Sequence, residues 1–277
     1  MRIGYLGPEG TFTQEALLST SAASGHELIA LPTIYDTVMA VHERSVDRAL
    51  APIENSIEGS VNVTLDTLAA EAHDVVIIGE LVQPISYCLI ARTAIALADV
   101  EAIVSHPQAS GQCARFIRDA LAGAEVVPAN STADAVRIVS ESDAPLAALG
   151  TRLSAELYGC AVLDEGVADE AGNETRFVCL APAGTEPAAG DAFKTSVLFW
   201  GAGDDSPGWL VRCLSEFASR GVNLTMIESR PQRRSLGHYM FFADLEGHAK
   251  DEDVAGGVEA LQRHAQQVRV LGTYPAA

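Results

Sequence analysis

Four short segments place hydroxyls, amides and a guanidinium where a small anion can be held and a proton handed over. Three share one design: a strand, a polar or glycine-containing turn, then a helix. They are Gly7-Pro8-Glu9-Gly10-Thr11-Phe12-Thr13, then Pro52-Ile53-Glu54-Asn55-Ser56-Ile57-Glu58-Gly59-Ser60, then Ser105-His106-Pro107-Gln108, whose helix carries Gln112 one turn on. Free backbone N–H groups at helix N-termini favour an anion without needing a lysine. In an open α/β sheet such turns gather at the carboxyl ends of the strands, where ligands bind. Ser, Thr and Asn are also good N-caps, so each segment taken alone reads as helix capping as well. The fourth segment, Gly172-Asn173-Glu174-Thr175-Arg176-Phe177-Val178, sets an alcohol next to a fixed positive charge at a strand entrance. Arg176 is suited either to bidentate capture of a carboxylate or to a surface ion pair on an acidic protein.

The charge balance narrows the partners. The 277 residues carry a net charge of −19, with only Lys194 and Lys250 as lysines among eighteen basic residues. A nucleic acid would be repelled over most of such a surface. An anionic substrate therefore needs a site built locally from helix N-termini, hydroxyls and a few arginines. The five cysteines (88, 113, 160, 179, 213) show no C-x-x-C pair and no histidine at a ligand interval. They read as small buried hydrophobes, with neither disulfide nor structural metal expected. The longest apolar runs are strand-sized, so no membrane span is expected. Met1–Gly7 lacks the apolar stretch of a secretory signal, from which a cytoplasmic location is expected.

Residues 1–182 alternate short apolar strands with helical stretches, an order that predicts an α/β fold with largely parallel sheets. The site segments fall at the ends of strands 2–6, 48–53 and 102–105, the fourth just before a strand over 176–181. One continuous helix is predicted over 108–121. Residues 183–192, rich in Pro, Gly and Ala, read as a linker. From 193 to 277 the pattern restarts as βαββαβ, the ferredoxin-like arrangement, with Leu210, Leu214 and Phe217 on one helix face.

The ordered set Gly-Pro-Glu-Gly-Thr-Phe-Thr (7–13), Pro-Ile-Glu-Asn-Ser (52–56), Ser-His-Pro-Gln (105–108) with Gln112, and Thr-Arg-Phe (175–177) resembles the prephenate dehydratase family through essentially the whole chain. The resemblance implies a two-lobed, periplasmic-binding-protein-like catalytic domain over 1–182 with its active site in a cleft, then an ACT regulatory domain. It implies loss of CO₂ and the ring hydroxyl from prephenate to give phenylpyruvate. Aromatisation drives that reaction, so no cofactor or metal is expected. Thr175 is implied as the residue assisting hydroxide departure, with Asn55, Ser105 and Gln112 beside it. Thr11, Phe12, Ser56, Arg176 and Phe177 are implied at the substrate, Arg176 either binding a carboxylate or orienting its neighbour Thr175. Glu54 reads as either an acid or a structural residue, and His106 as an organiser of its loop.

The C-terminal part matches the family's effector region at Gly208, Trp209, Leu210 and Val211, and at Asn223 and Leu224 through Glu228, Ser229, Arg230 and Pro231. Phenylalanine is the implied effector, and a homodimer or homotetramer paired through ACT domains the implied assembly. Trp209 stands where the family usually has a small residue, and it reads either as a ligand contact or as a core or interface aromatic. Two other readings remain on the same scaffold. One is a prephenate decarboxylase that does not aromatise its product, against which the retained Thr175 argues. The other is a non-catalytic small-molecule sensor, against which the retained polar segments argue.

Overall fold

The computed structural model describes residues 1–201, 206–234 and 236–277. By backbone proximity the chain forms two compact units: Met1–Thr33 with Asn55–Gly59 and Gln83–Thr175, and Ile34–Glu54 with Ser60–Val82 and Arg176–Ala277.

The first unit holds a parallel pair, β1 (Arg2–Leu6) on β2 (Glu27–Leu31), with α1 (Phe12–Leu18) between them in sequence. Its main sheet has the order β10-β6-β9-β7-β8, formed by β6 (Cys88–Ala91), β7 (Ala102–Ser105), β8 (Glu125–Pro128), β9 (Leu146–Gly150) and β10 (Ala161–Glu165). Both faces of this sheet are covered, which is why β6 reads as an unbroken apolar run rather than an alternation. Leu89, Ile103, Ala147 and Leu149 pack on one side with Cys113 and Leu121. Their chain neighbours Ile90, Val104 and Ala148 pack on the other with Ala135, Val136 and Val139. The latter three lie on α6 (Thr132–Ser140), started by Ser131, whose hydroxyl accepts from the Asp134 amide. α7 (Arg152–Tyr158) is capped likewise by Thr151 and ends at Gly159, whose φ of 64° favours glycine.

Three expectations are corrected here. The sheet is mixed: β7 pairs parallel with β8 and β9, but β6 lies antiparallel to β9 and to β10. No helix precedes β6 to return the chain, so no crossover sets it parallel. The helix predicted over 108–121 breaks into α4 (Pro107–Gln112) and α5 (Ala114–Ala120) at Cys113, which leaves helical geometry at φ −118°, ψ 20°. The strand predicted from Arg176 starts two residues earlier, as β11 (Glu174–Pro182), so Thr175 and Arg176 lie within it.

The second unit contains α2 (Ile34–His42), β3 (Arg48–Asn55) but for its last residue, α3 (Asn62–Ala70) and most of β5 (Val75–Pro84), with β3, β11 and β5 adjacent in that order. The two-residue β4 (Gly59–Ser60) pairs with β3. The C-terminal segment forms β12 (Phe193–Trp200), α8 (Trp209–Ala218), β13 (Leu224–Pro231), β14 (Tyr239–Glu246), α9 (Glu252–Leu261) and β15 (Gln267–Pro275). Its antiparallel sheet, ordered β13-β14-β12-β15, is the expected ferredoxin-like arrangement. One face, with Val197, Phe199, Ala243 and Leu245, is covered by Cys213, Phe217, Val254 and Leu261 of α8 and α9. The opposite face carries Ser196, Asp244 and Tyr274, all buried.

Candidate functional site

The densest polar constellation of the first unit forms where Asn55–Gly59 meets Gly172–Thr175. The Asn55 side chain shares its two amide hydrogens among three acceptors, Asn173 Oδ1 at 2.8 Å, Thr175 Oγ1 at 3.0 Å and the Glu174 carbonyl at 3.1 Å. Its own oxygen accepts from the amides of Ile57 and Glu58, both at 3.0 Å, which fixes the side chain at the turn. Ser56 clamps the same place: its amide donates to the Glu174 carbonyl, and its hydroxyl accepts from the Glu174 amide, both at 2.9 Å. Asn173, two residues before Thr175 and just outside β11, joins the same cluster through Asn55. It is buried and donates to Gln112 Oε1 at 2.9 Å, while Gln112 Nε2 donates to Glu58 Oε1 at 2.9 Å. The result is a continuous chain Thr175–Asn55–Asn173–Gln112–Glu58. Thr175 Oγ1 accepts within that chain, and among the described residues no acceptor takes its proton.

Of the expected site residues, Thr175, Asn55, Ser56 and Gln112 are thus brought together. Thr11 and Ser105 are buried, and each uses its hydroxyl locally. Thr11 donates to the Leu6 carbonyl at 2.7 Å and caps α1, and Ser105 donates to the His106 carbonyl at 3.1 Å. His106 caps α4, its ring accepting from the Gln108 amide. Phe12 meets Tyr87 edge-on, ring centroids 5.2 Å apart. Burial, with the charges of Cys113 and Glu58 added, pushes the Tyr87 phenol above its ordinary range. Asn173 and Glu58 are not among the residues the sequence points to, although both lie in the singled-out segments; the spacing of two between Asn173 and Thr175 at a strand entrance is the available signal. Beside Gln112 and Glu58 opens a pocket of about 380 Å³, lined also by Ile57, Gln108, Gly111 and Arg115.

Arg176 and Phe177 occupy different settings from those expected. Successive strand residues face opposite sides, so Arg176 does not stand beside the Thr175 hydroxyl. It lies in the second unit, nearly buried, among three protein carboxylates: Glu54 and Glu80 at 3.1 Å and Asp244 at 2.7 Å. A guanidinium so engaged is not presented to a substrate carboxylate. Phe177 is 1% exposed and is a core side chain.

The expected effector residues divide into two groups. Gly208, Trp209, Leu210 and Val211 line a pocket of about 470 Å³ with Tyr239 and Phe241. Trp209 is also a core aromatic, packed near Phe199 and Phe241, and its indole N–H donates to the His264 carbonyl at 2.7 Å. The β13 residues do not line that pocket, although Ser229 and Pro231 lie opposite its lining residues Phe241 and Tyr239 on the paired strand. Leu224 is half-buried, whereas Asn223, Ser229 and Pro231 are exposed. Glu228 accepts from Ser60 at 2.8 Å, and Arg230 grips Asp66 of α3 with two bonds of 2.9 Å. Burial alone would raise the Asp66 carboxyl, but hydrogen bonds from Arg230 and Arg233 outweigh it and hold it below the usual range. A carboxyl depressed in the folded state adds stability above its unfolded value, and that stability is lost as pH falls through the folded value. Asp66→Asn is therefore expected to destabilise the protein at pH 7, with the gap from the parent narrowing below roughly pH 4. Denaturant unfolding at pH 7 and pH 3 checks this, and a gap independent of pH counts against it.

The fold and the strand-end network define an α/β protein with a hydrogen-bonded polar cluster at its strand ends, joined to a ferredoxin-like C-terminal module. Residues 3–185 match the family model described as prephenate dehydratase, and residues 196–261 match the ACT domain model. The chain belongs to the prephenate dehydratase family. It is 39% identical to a prephenate dehydratase of Mycolicibacterium gilvum, over 99% of this chain and 90% of that one. A crystal structure of prephenate dehydratase from Arthrobacter aurescens in complex with L-Phe is 38% identical, with a TM-score of 0.91, covering 100% of this chain and 90% of that chain. A structure described as a novel type of quorum quenching acylase is 31% identical, with a TM-score of 0.87, covering 100% and 98%.

Proposed function

We propose that the protein converts prephenate to phenylpyruvate, CO₂ and water, with Thr175 at the reacting centre and phenylalanine as its inhibitor through the ACT domain. The observation that carries this is the Thr175–Asn55 hydrogen bond. Asn55 is a donor only at its nitrogen, so Thr175 Oγ1 accepts there and its own proton is left to point at a ligand. In the reaction the carbon–carboxylate bond breaks, its electron pair completes the aromatic ring, and the ring carbon–oxygen bond breaks. The departing hydroxide takes up a proton from solvent and leaves as water. A threonine hydroxyl is a weak acid, so it acts by hydrogen-bonding the developing charge at a preorganised position. Asn55, Gln112 and Ser56 hold that position, while Ser105 and Thr11 shape the helix starts and Phe12 adds an apolar wall.

Asn173 is the central member of the chain and reaches both Asn55 and Gln112. Asn173→Ala is expected to lower kcat/KM by roughly 10–100-fold, about 1–3 kcal/mol for partners left unpaired. Steady-state kinetics beside a thermal melt check it; an unchanged kcat/KM would remove Asn173 from the site.

In the regulatory domain, the pocket at Gly208–Val211 is the place for phenylalanine, supported by the L-Phe complex of the Arthrobacter relative. Phenylalanine inhibits only if it binds the less active arrangement better than the active one. We assign the protein to a homo-oligomer joined through ACT domains. The assignment is supported by the edge position of β13 and by exposed Val211, Ile227 and Tyr239. We place it in the cytoplasm; among the described residues no helix is long and apolar enough to cross a membrane.

The acylase relative makes amide hydrolysis the competing activity. That chemistry calls for a nucleophile paired with a base. Thr175 is paired with an amide donor, and the buried Cys88 and Cys113 have thiols pushed up to about 11 and about 12 by burial. The test is purified protein mixed with prephenate at neutral pH and product identification. Phenylpyruvate formed faster than spontaneous decay, and slowed by added phenylalanine, is the expected result. A non-aromatic decarboxylated product, or no acceleration together with cleavage of an acyl amide, overturns it.

A further inference from the structure

The face of the C-terminal sheet turned away from α8 and α9 buries a charge among apolar neighbours, Leu198 and Phe242 being buried on the same face. Asp244 on β14 is 1% exposed. Its Oδ1 accepts from Ser196 Oγ at 2.5 Å, and Ser196 is in turn 2.7 Å from the Tyr274 hydroxyl, so three strands of the sheet fix its orientation. Its Oδ2 lies 2.7 Å from Arg176 Nη1. The same Nη1 donates to Glu80 Oε2, and Arg176 Nε donates to Glu54 Oε2, both at 3.1 Å. Glu80, fully buried on β5, uses its other oxygen to accept from Lys194 at 2.8 Å and from the Ala277 amide at 2.9 Å. Three carboxylates thus share two cations. Arg176 Nη2 and Asp244 Oδ2 are both buried with no hydrogen-bond partner among the described residues, so the 2.7 Å Asp244–Arg176 contact is an ion pair and not a hydrogen bond.

Buried ion pairs are poor stabilisers: desolvation costs several kcal/mol per ion, and well-packed apolar residues often do as well or better. Their best-attested use is to fix a register or to serve as a switch. The register at stake is identifiable. Arg176 is the residue after Thr175, and Glu54 is the residue before Asn55. The ionic pair on β3 and β11 is therefore covalently adjacent to the hydrogen-bonded pair that carries the proposed chemistry. Arg176 is held from the far side by a carboxylate that belongs to the ACT sheet. A shift of β14 that lengthens the Asp244–Arg176 contact leaves Arg176 with Glu54 and Glu80 alone, and β11 must readjust beside Thr175.

We propose that Asp244 is a positioning residue for the Thr175–Asn55 pair, and that its contact with Arg176 is the route by which the ligand state of the ACT domain reaches that pair. This rests on the dehydration reading above. Asp244→Asn keeps the shape and the Ser196 contact but removes the charge facing Arg176. It is expected to lower kcat roughly tenfold with KM for prephenate little changed, and to weaken inhibition by phenylalanine by a similar factor, within the range by which single residues modulate coupling. Phenylalanine binding followed by calorimetry is expected to stay close to the parent's. Lys194→Met disturbs the same buried cluster without touching the Arg176–Asp244 contact. It is expected to lower the melting temperature while leaving kcat and inhibition at parent values. Hydrogen–deuterium exchange of the segment 172–177 supplies a readout independent of turnover: adding phenylalanine changes it in the parent and not in Asp244→Asn. If Asp244→Asn fails to fold, Ser196→Ala, which frees Oδ1 and keeps the charge, takes its place with smaller effects in the same direction. Parent protein that makes no phenylpyruvate defeats the dehydration reading, while the exchange experiment still decides the coupling. An Asp244→Asn protein whose exchange responds to phenylalanine as the parent's does, or whose losses are matched by Lys194→Met, overturns the proposal.

Discussion

Thr175→Ala is expected to lower turnover of prephenate by about 10²–10⁴-fold, the range associated with losing a positioned proton-transfer group. The side chain is half-exposed at the start of β11, and its oxygen is oriented by Asn55, which is itself locked by two backbone amides. Removing the hydroxyl leaves that scaffold in place, so the loss should fall on kcat rather than on KM. Two companions separate chemistry from packing. Thr175→Val keeps the shape without the hydroxyl and is expected to be as impaired as alanine. Thr175→Ser keeps the hydroxyl and is expected to stay within roughly tenfold of the parent, the difference reflecting a less restricted χ1. Rates measured under saturating prephenate, with circular dichroism to confirm folding, decide the matter. A valine variant with near-parental turnover means that the hydroxyl takes no part.

Much of this site was legible because the residues that build it are tied to strand ends and helix starts. Asn55, Ser56, Gln112 and Thr175 stand in polar segments at such turns, their roles are implied by the family resemblance, and the structure joins them in one hydrogen-bonded network. The C-terminal βαββαβ order was legible for a similar reason: alternation along each strand and the apolar stripe of α8 are local patterns. For Arg176 the ion-pair reading agrees with the structure and the substrate reading does not, again on a local point. With a strand start at 176, Thr175 and Arg176 stand side by side at the strand entrance; starting it at Glu174 sends them to opposite faces. Other features were invisible for a different reason. Nothing in the β13 sequence says that Arg230 meets Asp66, 164 residues away, or that Asp244 meets Arg176. The antiparallel entry of β6 and the edge strand β10 are likewise tertiary facts. β10 has only Ala161, Val162 and Leu163 to mark it, too short an apolar run to separate from a loop. Cys113 interrupts a helix two residues after Ser110-Gly111, and a lone glycine in a helical pattern weakens a helix without fixing where it breaks.

Gly272→Ala is expected to be among the most damaging single-methyl additions the chain can receive. Gly272 lies in β15 opposite Ser196, beside an irregularity in the pairing with β12. A Cβ at this position would fall 2.1 Å from the Ile77 carbonyl oxygen and 2.9 Å from the Ile77 nitrogen and carbonyl carbon. Those atoms are backbone of β5, so no rotamer change relieves the overlap; the two strands have to separate. The requirement for glycine is one of close approach, not of unusual φ. Separation would also stretch contacts along the same surface, including Lys194–Glu80 and Asp244–Arg176, both under 3 Å. Overpacking of this kind costs about 1–3 kcal/mol or more, and each kcal/mol lowers the melting temperature by about 2–4 °C in a chain of this size. Gly123→Ala is the control, since an added Cβ there meets nothing within 4 Å, and it is expected to melt with the parent. Besides the lower melting temperature, Gly272→Ala should blunt inhibition by phenylalanine, because the surface it wedges apart is the one that carries Asp244. A variant that melts with the parent would mean that β15 does not rest on β5 in solution. Lost stability with parental inhibition would separate the docking of the ACT sheet from its regulatory role.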